Sequence, residues 1–369
     1  AAPREAVAAD EAAGEDLRPL RGAAADRDVL FVVLESTGAL PLGLHGAAGR
    51  DPMPRLTDLG ARGLVFDAAY TAFPESVREQ VAFWESRRPR VGVTAGEMTA
   101  PTARPLPALL RGAGYRTALF HSGHFDYLGM RGLVTGRGFE TLEDAALIPS
   151  RAASSFGVDE RDTVARVLAW IDGLAAGERF FAAYLPIAGH HPYDTPADFA
   201  APYPADTAPS QYRNALAFAD HALGLLLDGL AARGRLDRTL VVVTGDHGEA
   251  FGEHPGNLGH TFHLYEENVR VPLVIALPGG FATARRIGRV ASHVDLAPTI
   301  TDLLGLDAAR GWDGASLLDP VARPAHFETD WADRLIGFRD GRWKVIRCLD
   351  TGRVERFDLV ADPLERSLR

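Results

Sequence analysis

Short apolar runs that stop at a charged or polar residue do most to narrow the folds open to this chain. "DVLFVVLE" (Asp28 to Glu35) is a continuous β-branched and aromatic stretch, too short for an ordinary helix, and reads as a strand buried on both faces. "LVFDAAYTAF", "YRTALFHSG", "RFFAAYLPIAGHH", "TLVVVTGDHGE" and "RVPLVIALPG" repeat the pattern. Between them lie segments with helical spacing: "PRLTDLGARG" closed by Gly63, "PLPALLRGAG", "RDTVARVLAWIDGL" and "RNALAFADHALGLLLDGLAARG". Strands alternating with helices of about 10–20 residues specify an α/β fold, with a doubly wound, mostly parallel central sheet flanked by helices. From about Trp312 the texture changes, and "LIGFRDGRWKVIRC" and "RVERFDLV" read as short antiparallel strands with a turn at "RDGR". Three parts result: an N-terminal extension or linker over 1–27, a main domain over 28–306, and a small C-terminal antiparallel β-rich subdomain over 307–369 packed on it.

The formal net charge of -10 comes without a basic stripe, which excludes a general nucleic-acid binder. An anionic substrate would then need a local positive centre, such as a metal, because the overall field repels it. The single cysteine, Cys348, excludes an intramolecular disulfide framework. No uninterrupted apolar run reaches membrane-spanning length, so no span is expected in this chain. The Ala-, Glu- and Asp-rich start lacks both a signal-peptide pattern and an initiator Met, and reads as a processed or excised soluble portion.

Several apolar runs end in residues with chemistry. The first ends in Glu35, then Ser36 and Thr37; another leads to His190 and His191; a third ends in Asp246 and His247. In a parallel sheet these ends gather at one edge. Two carboxylates and an imidazole there suit a divalent cation, which also offsets the repulsion between Glu35 and Asp246. His190, His254, His260 and His263 add to the concentration of polar groups.

The block "TGDHGEAFGEH" followed by "GHTFHLYEENVRVPLVI" resembles the sulfatase and alkaline-phosphatase-like superfamily. "VLFVVLESTGALPLGLHG", "HHPY", "SHVDLAPTITDLLGL", "WDGASLL" and "FDLVADPLE" resemble further family segments in the same order, so that the likeness runs from Asp28 to Glu365. Two departures matter. Sulfatases usually carry paired aspartates where this chain has Glu35 and Ser36, and a C/S-x-P-x-R motif where it reads "YTAFPESVREQVAFWES". A formylglycine mechanism is therefore not expected. The Glu version resembles the lipoteichoic acid synthase and phosphoethanolamine transferase branch. That resemblance implies metal ligation by Glu35, Ser76, Asp246 and His247, with Ser76 as nucleophile and Thr71 as its rival. It also implies that His190 and His260 contact substrate oxygens or protonate the leaving group, with His191 and His263 lining the pocket. Arg78 is a candidate anion contact, although two residues from Ser76 on a helix it does not share its face. His121 and His124 are further candidates, whereas Phe83, Trp84, Tyr265, Glu266, Glu267 and Arg270 are read as structural.

The expectation is a metal-dependent hydrolase or transferase acting on phosphate or sulfate esters through a covalent enzyme intermediate, with phosphate chemistry favoured. The alternatives are a sulfuric ester hydrolase and a non-catalytic relative that serves as a binding domain. One divalent ion is expected, manganese or zinc ahead of magnesium or calcium. The partner is an anionic ester, with lipid and glycan head groups both in range, and no nucleic acid. The branch implies a periplasmic or extracytoplasmic location, with the chain excised from a membrane-anchored protein; a cytoplasmic one stays open. Specificity is expected from the loops between Tyr193 and Tyr212 and between Gly252 and His263.

Overall fold

A computed structural model of the chain describes residues 15–150, 156–281 and 283–367. Strands β1 (Asp28–Leu34), β2 (Gly63–Tyr70), β3 (Tyr115–His121), β4 (Thr141–Glu143), β5 (Arg179–Leu185), β6 (Thr239–Gly245), β9 (Arg270–Ala276) and β10 (Arg285–Ser292) form one sheet, in the order β10-β2-β9-β6-β1-β5-β3-β4. The pair β7 (Ala250–Phe251) and β8 (Leu258–Gly259) makes a small separate hairpin. All pairings in the large sheet are parallel except those of β9, which runs against both neighbours. Seven helices matter to the core: α1 (Pro54–Gly60), α2 (Ser76–Glu85), α3 (Leu106–Gly112), α4 (Met130–Val134), α5 (Glu160–Asp172), α6 (Ala208–Ala232) and, after the short α7 (Glu266–Val269), α8 (Leu296–Leu303).

The period of two along each strand builds both layers. On β1, Val29, Phe31 and Val33 pack with α2, α3, α4 and α8, while Leu30, Val32 and Leu34 pack with α1, α5 and α6. This is the doubly wound α/β arrangement that the alternating runs demand. Phe83 and Trp84 of α2 are fully buried and meet Phe31 edge-on, with ring centroids 5.7 and 5.5 Å away. Helix α6 is long and apolar enough to cross a bilayer by composition, with mean hydropathy 1.4 over its richest window, but 61% of that window lies inside the fold. Core packing against β1 and β5 accounts for that apolarity.

A second sheet of β11 (Ala325–Thr329), β12 (Leu335–Asp340), β13 (Trp343–Cys348) and β14 (Val354–Asp358) is wholly antiparallel. Gly341, at φ 51, and Arg342 form the tight turn expected at "RDGR". Phe327, Leu335, Ile346 and Phe357 pack this sheet onto Tyr70, Leu264 and Val269. In the N-terminal segment, residues 1–14 lie outside the described residues. Leu17 and Ala24 are buried, and their amides donate to Leu318 and Leu303 oxygens at 3.1 and 2.8 Å.

Some boundaries differ from the sequence reading. Gly63 does not close α1, which ends at Gly60; it opens β2. β5 stops at Leu185, so His190 and His191 sit in a loop five and six residues beyond the strand. β10 and β11 were not anticipated, because "RRIGRVAS" and "AHFET" carry charges on edge positions that mask the apolar alternation.

Candidate active site

Parallel pairing of β1 with β6 sets the site. Leu34 is opposite Gly245, so the residues that follow, Glu35 and Asp246, leave adjacent strand ends side by side. Ser36 turns the chain away with φ 50, and its amide donates to Asp246 Oδ1 at 2.8 Å. The His247 amide donates to the same oxygen at 2.7 Å. Gly245 is required here, since a Cβ would stand 2.0 Å from the Thr37 oxygen.

The third element arrives from β2. Residues 71–75 run past the sheet edge, and Ser76 is the first residue of α2 after the extended Glu75. Ser76 Oγ lies 3.2 and 3.1 Å from the two Glu35 carboxylate oxygens and 3.1 Å from His247 Nε2. The positive end of the α2 dipole points the same way. Behind it, Glu79 accepts the amides of Ala72 and Phe73 at 2.9 and 2.7 Å and sits 2.6 Å from His293 Nδ1. The other nitrogen of His293 is 3.0 Å from Thr244 Oγ1, two residues before Asp246. A buried network therefore ties the Ser76 loop to β6.

The electrostatics favour a cation. Burial, and then the negative charge of Asp246, push the Glu35 carboxyl well above its ordinary pKa. Burial also raises Asp246, although Ser76 and backbone amides oppose it. His247 is held well below the usual histidine range by burial and by neighbouring His260. Its Nδ1 is 2.9 Å from the Gly248 oxygen, which turns Nε2 toward Ser76 as a lone-pair donor. Ligand atoms of Glu35, Asp246 and His247 all fall within 4.8 Å of one another, so the donors fit one divalent ion. His247, Glu249 and His260 form a second, overlapping group of the same compactness.

His260 stacks on His247 with ring centroids 3.9 Å apart, and its Nδ1 is 2.8 Å from Glu249 Oε2. The other Glu249 oxygen accepts from the Tyr193 hydroxyl at 2.7 Å. Sequence reasoning gave Glu249 and Tyr193 no part in the site; the fourth place in Asp-His-Gly-Glu was the available signal. His190 lines the same cavity as Ser76 and His260, and burial lowers its pKa. His121 and His124 line it as well; burial brings His121 down to about 4.

Other candidates are placed elsewhere. Arg78 does not reach the cavity: Nε donates to Glu75 at 2.6 Å, Nη1 to Asp330 at 2.7 Å, and the guanidinium lies over the Phe73 ring. Its anion-contact role is corrected, because a neutralised, buried guanidinium is already committed. His191 is exposed and meets Tyr193 edge-on, outside the cavity lining. His263 stacks against Tyr265 in a separate crevice beside Leu335, Ile346 and Arg353. For His191 and His263 the pocket-lining expectation is likewise not met. The rival nucleophile Thr71 is buried and donates to the Phe73 oxygen at 3.0 Å. His254 bridges Glu267 and the Glu365 oxygen at 2.6 and 3.1 Å, a structural tie. Arg270 donates to the Asp67 oxygen at 3.1 and 2.7 Å.

The Sulfatase family model matches residues 27–306, and the model described as N-sulphoglucosamine sulphohydrolase, C-terminal, matches residues 252–368. The choline-sulfatase of Rhizobium meliloti (strain 1021) is 36% identical over 163 residues, covering 41% of this chain and 30% of that protein. The chain thus spans well under half the length of the curated relatives it matches. Among solved structures, a protein in the alkaline phosphatase superfamily from Vibrio parahaemolyticus superposes with a TM-score of 0.76 at 22% identity, covering 94% of this chain and 84% of that one. The lipoteichoic acid synthase LtaP from Listeria monocytogenes gives 0.72 at 18% identity, covering 97% and 93%. These likenesses share the fold, and the match of a family model to most of the sequence carries the conclusion: the chain belongs to the sulfatase family.

Proposed function

We propose that this chain is a metal-dependent hydrolase or transferase that cleaves a phosphate or sulfate ester through Ser76, with phosphate chemistry favoured. The observation that carries the reading is Ser76 Oγ held about 3.1–3.2 Å from both Glu35 oxygens and from His247 Nε2, in the wall of a cavity. A serine hydroxyl is a poor nucleophile at neutral pH. A divalent cation on Glu35, Asp246 and His247 would lower the pKa of that hydroxyl and take up charge that develops on the ester oxygens. Manganese or zinc suits a donor set that includes an imidazole.

The chain's own groups do the rest. The Ser76 proton leaves along its existing hydrogen bond to Glu35. The freed Oγ pair forms the bond to phosphorus in line as the bond to the alcohol oxygen breaks with its electron pair. His260, held through Nδ1 by Glu249, gives that oxygen a proton. His190 offers a hydrogen bond to a non-bridging oxygen. Water, or an acceptor alcohol in a transferase, then gives a proton to neutral His260 and displaces Ser76, which recovers its own. The histidines, Glu249 and Tyr193 make the proton path; Arg78 has no part in it.

A sulfuric ester hydrolase is the second reading, favoured by the likeness to a choline-sulfatase and disfavoured by the missing formylglycine motif. The test compares the wild type, Ser76→Ala and Glu35→Gln, each metal-loaded, on aryl phosphate monoester, phosphodiester and sulfate substrates. Phosphate turnover lost in both variants is the expected result. Sulfate turnover that survives Ser76→Ala would overturn the nucleophile assignment. Absence of all turnover, in protein that binds no metal, would favour a non-catalytic relative.

A further inference from the structure

The cavity that holds Ser76 occupies about 560 Å³, within the range of small-molecule sites. Its wall is unusual for a protein expected to take anions. Among the described residues no lysine or arginine lines it; the carboxylates Glu35 and Glu75 do, beside the imidazoles of His121, His124, His190 and His260. The guanidinium of Arg78, two residues from Ser76, is spent on Glu75 and Asp330. Among the described residues, a second negative group on the substrate would therefore meet carboxylates and imidazoles in this cavity, and no lysine or arginine.

Much of the rest of the wall is apolar, and part of it is exposed. Among the described residues twelve large apolar side chains are exposed, and four of them, Tyr127, Leu128, Phe262 and Trp331, line this one cavity. Isolated exposed apolar residues need no explanation, but a convergent set beside a nucleophile does. Two of the four are held in place. Trp331 Nε1 donates to Glu75 Oε2 at 2.9 Å, and Leu128 sits at φ 45, a left-handed conformation that costs a leucine energy. Beyond His190, a further cavity of about 320 Å³ continues the surface with Val158, Pro192 and Phe218, again without lysine or arginine among the described residues.

We infer that the substrate carries its negative charge only at the reacting centre and bears an uncharged apolar substituent, aryl or alkyl, which Leu128, Phe262 and Trp331 select. This inference rests on Ser76 as the reacting group, since it reads the same cavity. Multiply anionic sugars are disfavoured by the same wall. The shared chemistry is an apolar organic group on a single phosphate or sulfate; a soluble ester and a lipid are two sources of it.

The test separates binding from turnover. Calorimetric titration of metal-loaded Ser76→Ala protein with ethyl-, butyl-, hexyl- and octylphosphonate measures affinity without reaction. Affinity is expected to rise about fourfold per methylene until the cavity is filled. Phe262→Ser and Leu128→Ser should flatten that slope while leaving ethylphosphonate affinity within about twofold. A flat series in otherwise folded protein would overturn the inference, as would tighter binding of a disulfated disaccharide than of octylphosphonate. A parallel arm uses phosphatidylcholine vesicles doped with phosphatidate. A slope confined to soluble phosphonates supports a soluble ester; stronger capture of the doped vesicles supports a lipid. Turnover by the wild type with a flat binding series would sink this inference and leave Ser76 chemistry standing. A steep series in a wild type without turnover would do the reverse.

Discussion

Lys344 is the only lysine in the chain, and it is fully buried. Its ammonium lies 3.1 Å from Glu266 and 2.9 Å from Glu365, over the Phe327 ring at 5.3 Å. Replacing it in Lys344→Met keeps most of the volume and removes the charge. Breaking a buried ion pair from one side typically costs about 3–5 kcal/mol. Here the low end applies at most. Burial, only partly offset by Lys344, already raises Glu365 to about 7, so it can take up a proton and escape the penalty. Without Lys344 its folded pKa rises further. The sign follows: a folded pKa above the unfolded value gives stability present at low pH and lost as pH rises through it. The deficit of Lys344→Met should therefore be small near pH 5 and reach about 3 kcal/mol at pH 8. With an unfolding entropy of about 2.1 cal/mol/K per residue, that lowers the thermal midpoint by about 4 °C. Urea unfolding at the two pH values measures it directly. Lys344→Met with Glu365→Gln should recover more than half of the loss, because no carboxylate is then left to ionise beside Glu266. A deficit that shrinks as pH rises, or a double variant no better than the single one, would refute the reasoning.

Asp220 accepts the amides of Arg55 and Leu56, both at 2.9 Å, and burial raises its pKa to about 7. Its folded pKa also exceeds the unfolded value, so wild-type stability should fall between pH 4 and 8, by no more than about 4 kcal/mol. Asp220→Asn should flatten that slope in urea unfolding; an unchanged slope counts against it. Chelation should lower the thermal midpoint, because Glu35 and Asp246 lose their counter-charge. Restoring manganese or zinc at a hundredfold excess over Kd should return about 2.7 kcal/mol. A midpoint indifferent to metal would argue that no ion binds there.

Much of the sheet was legible because a strand buried on both faces needs consecutive β-branched and aromatic residues, as in β1 and β6. The reversal of β9 was not, since "RVPLVIA" is equally apolar in either direction and only its neighbours decide. The strand-end places of Glu35 and Asp246 could be read from where the apolar runs stop. The orientation of Arg78 could not, because it depends on Asp330, some 250 residues further along the chain. Trp331 and Phe262 come from loops without periodicity, so nothing in their local sequence says that they face one cavity.

The network through Glu79, His293 and Thr244 bears on how the site comes into being as the chain is made. Glu35, Ser76, Asp246 and His247 all precede residue 250, yet His293, which joins the Ser76 loop to β6, follows β10. A nascent chain released only as far as β9 would hold all four groups and lack the side chain that ties the Ser76 loop to β6. The site is then completed late, when the edge strand β10 pairs with β2 and carries His293 into place. Glu35, Asp246 and His247 meet as soon as β1 pairs with β6, whereas the seat of Ser76 is the last part of the site to be fixed.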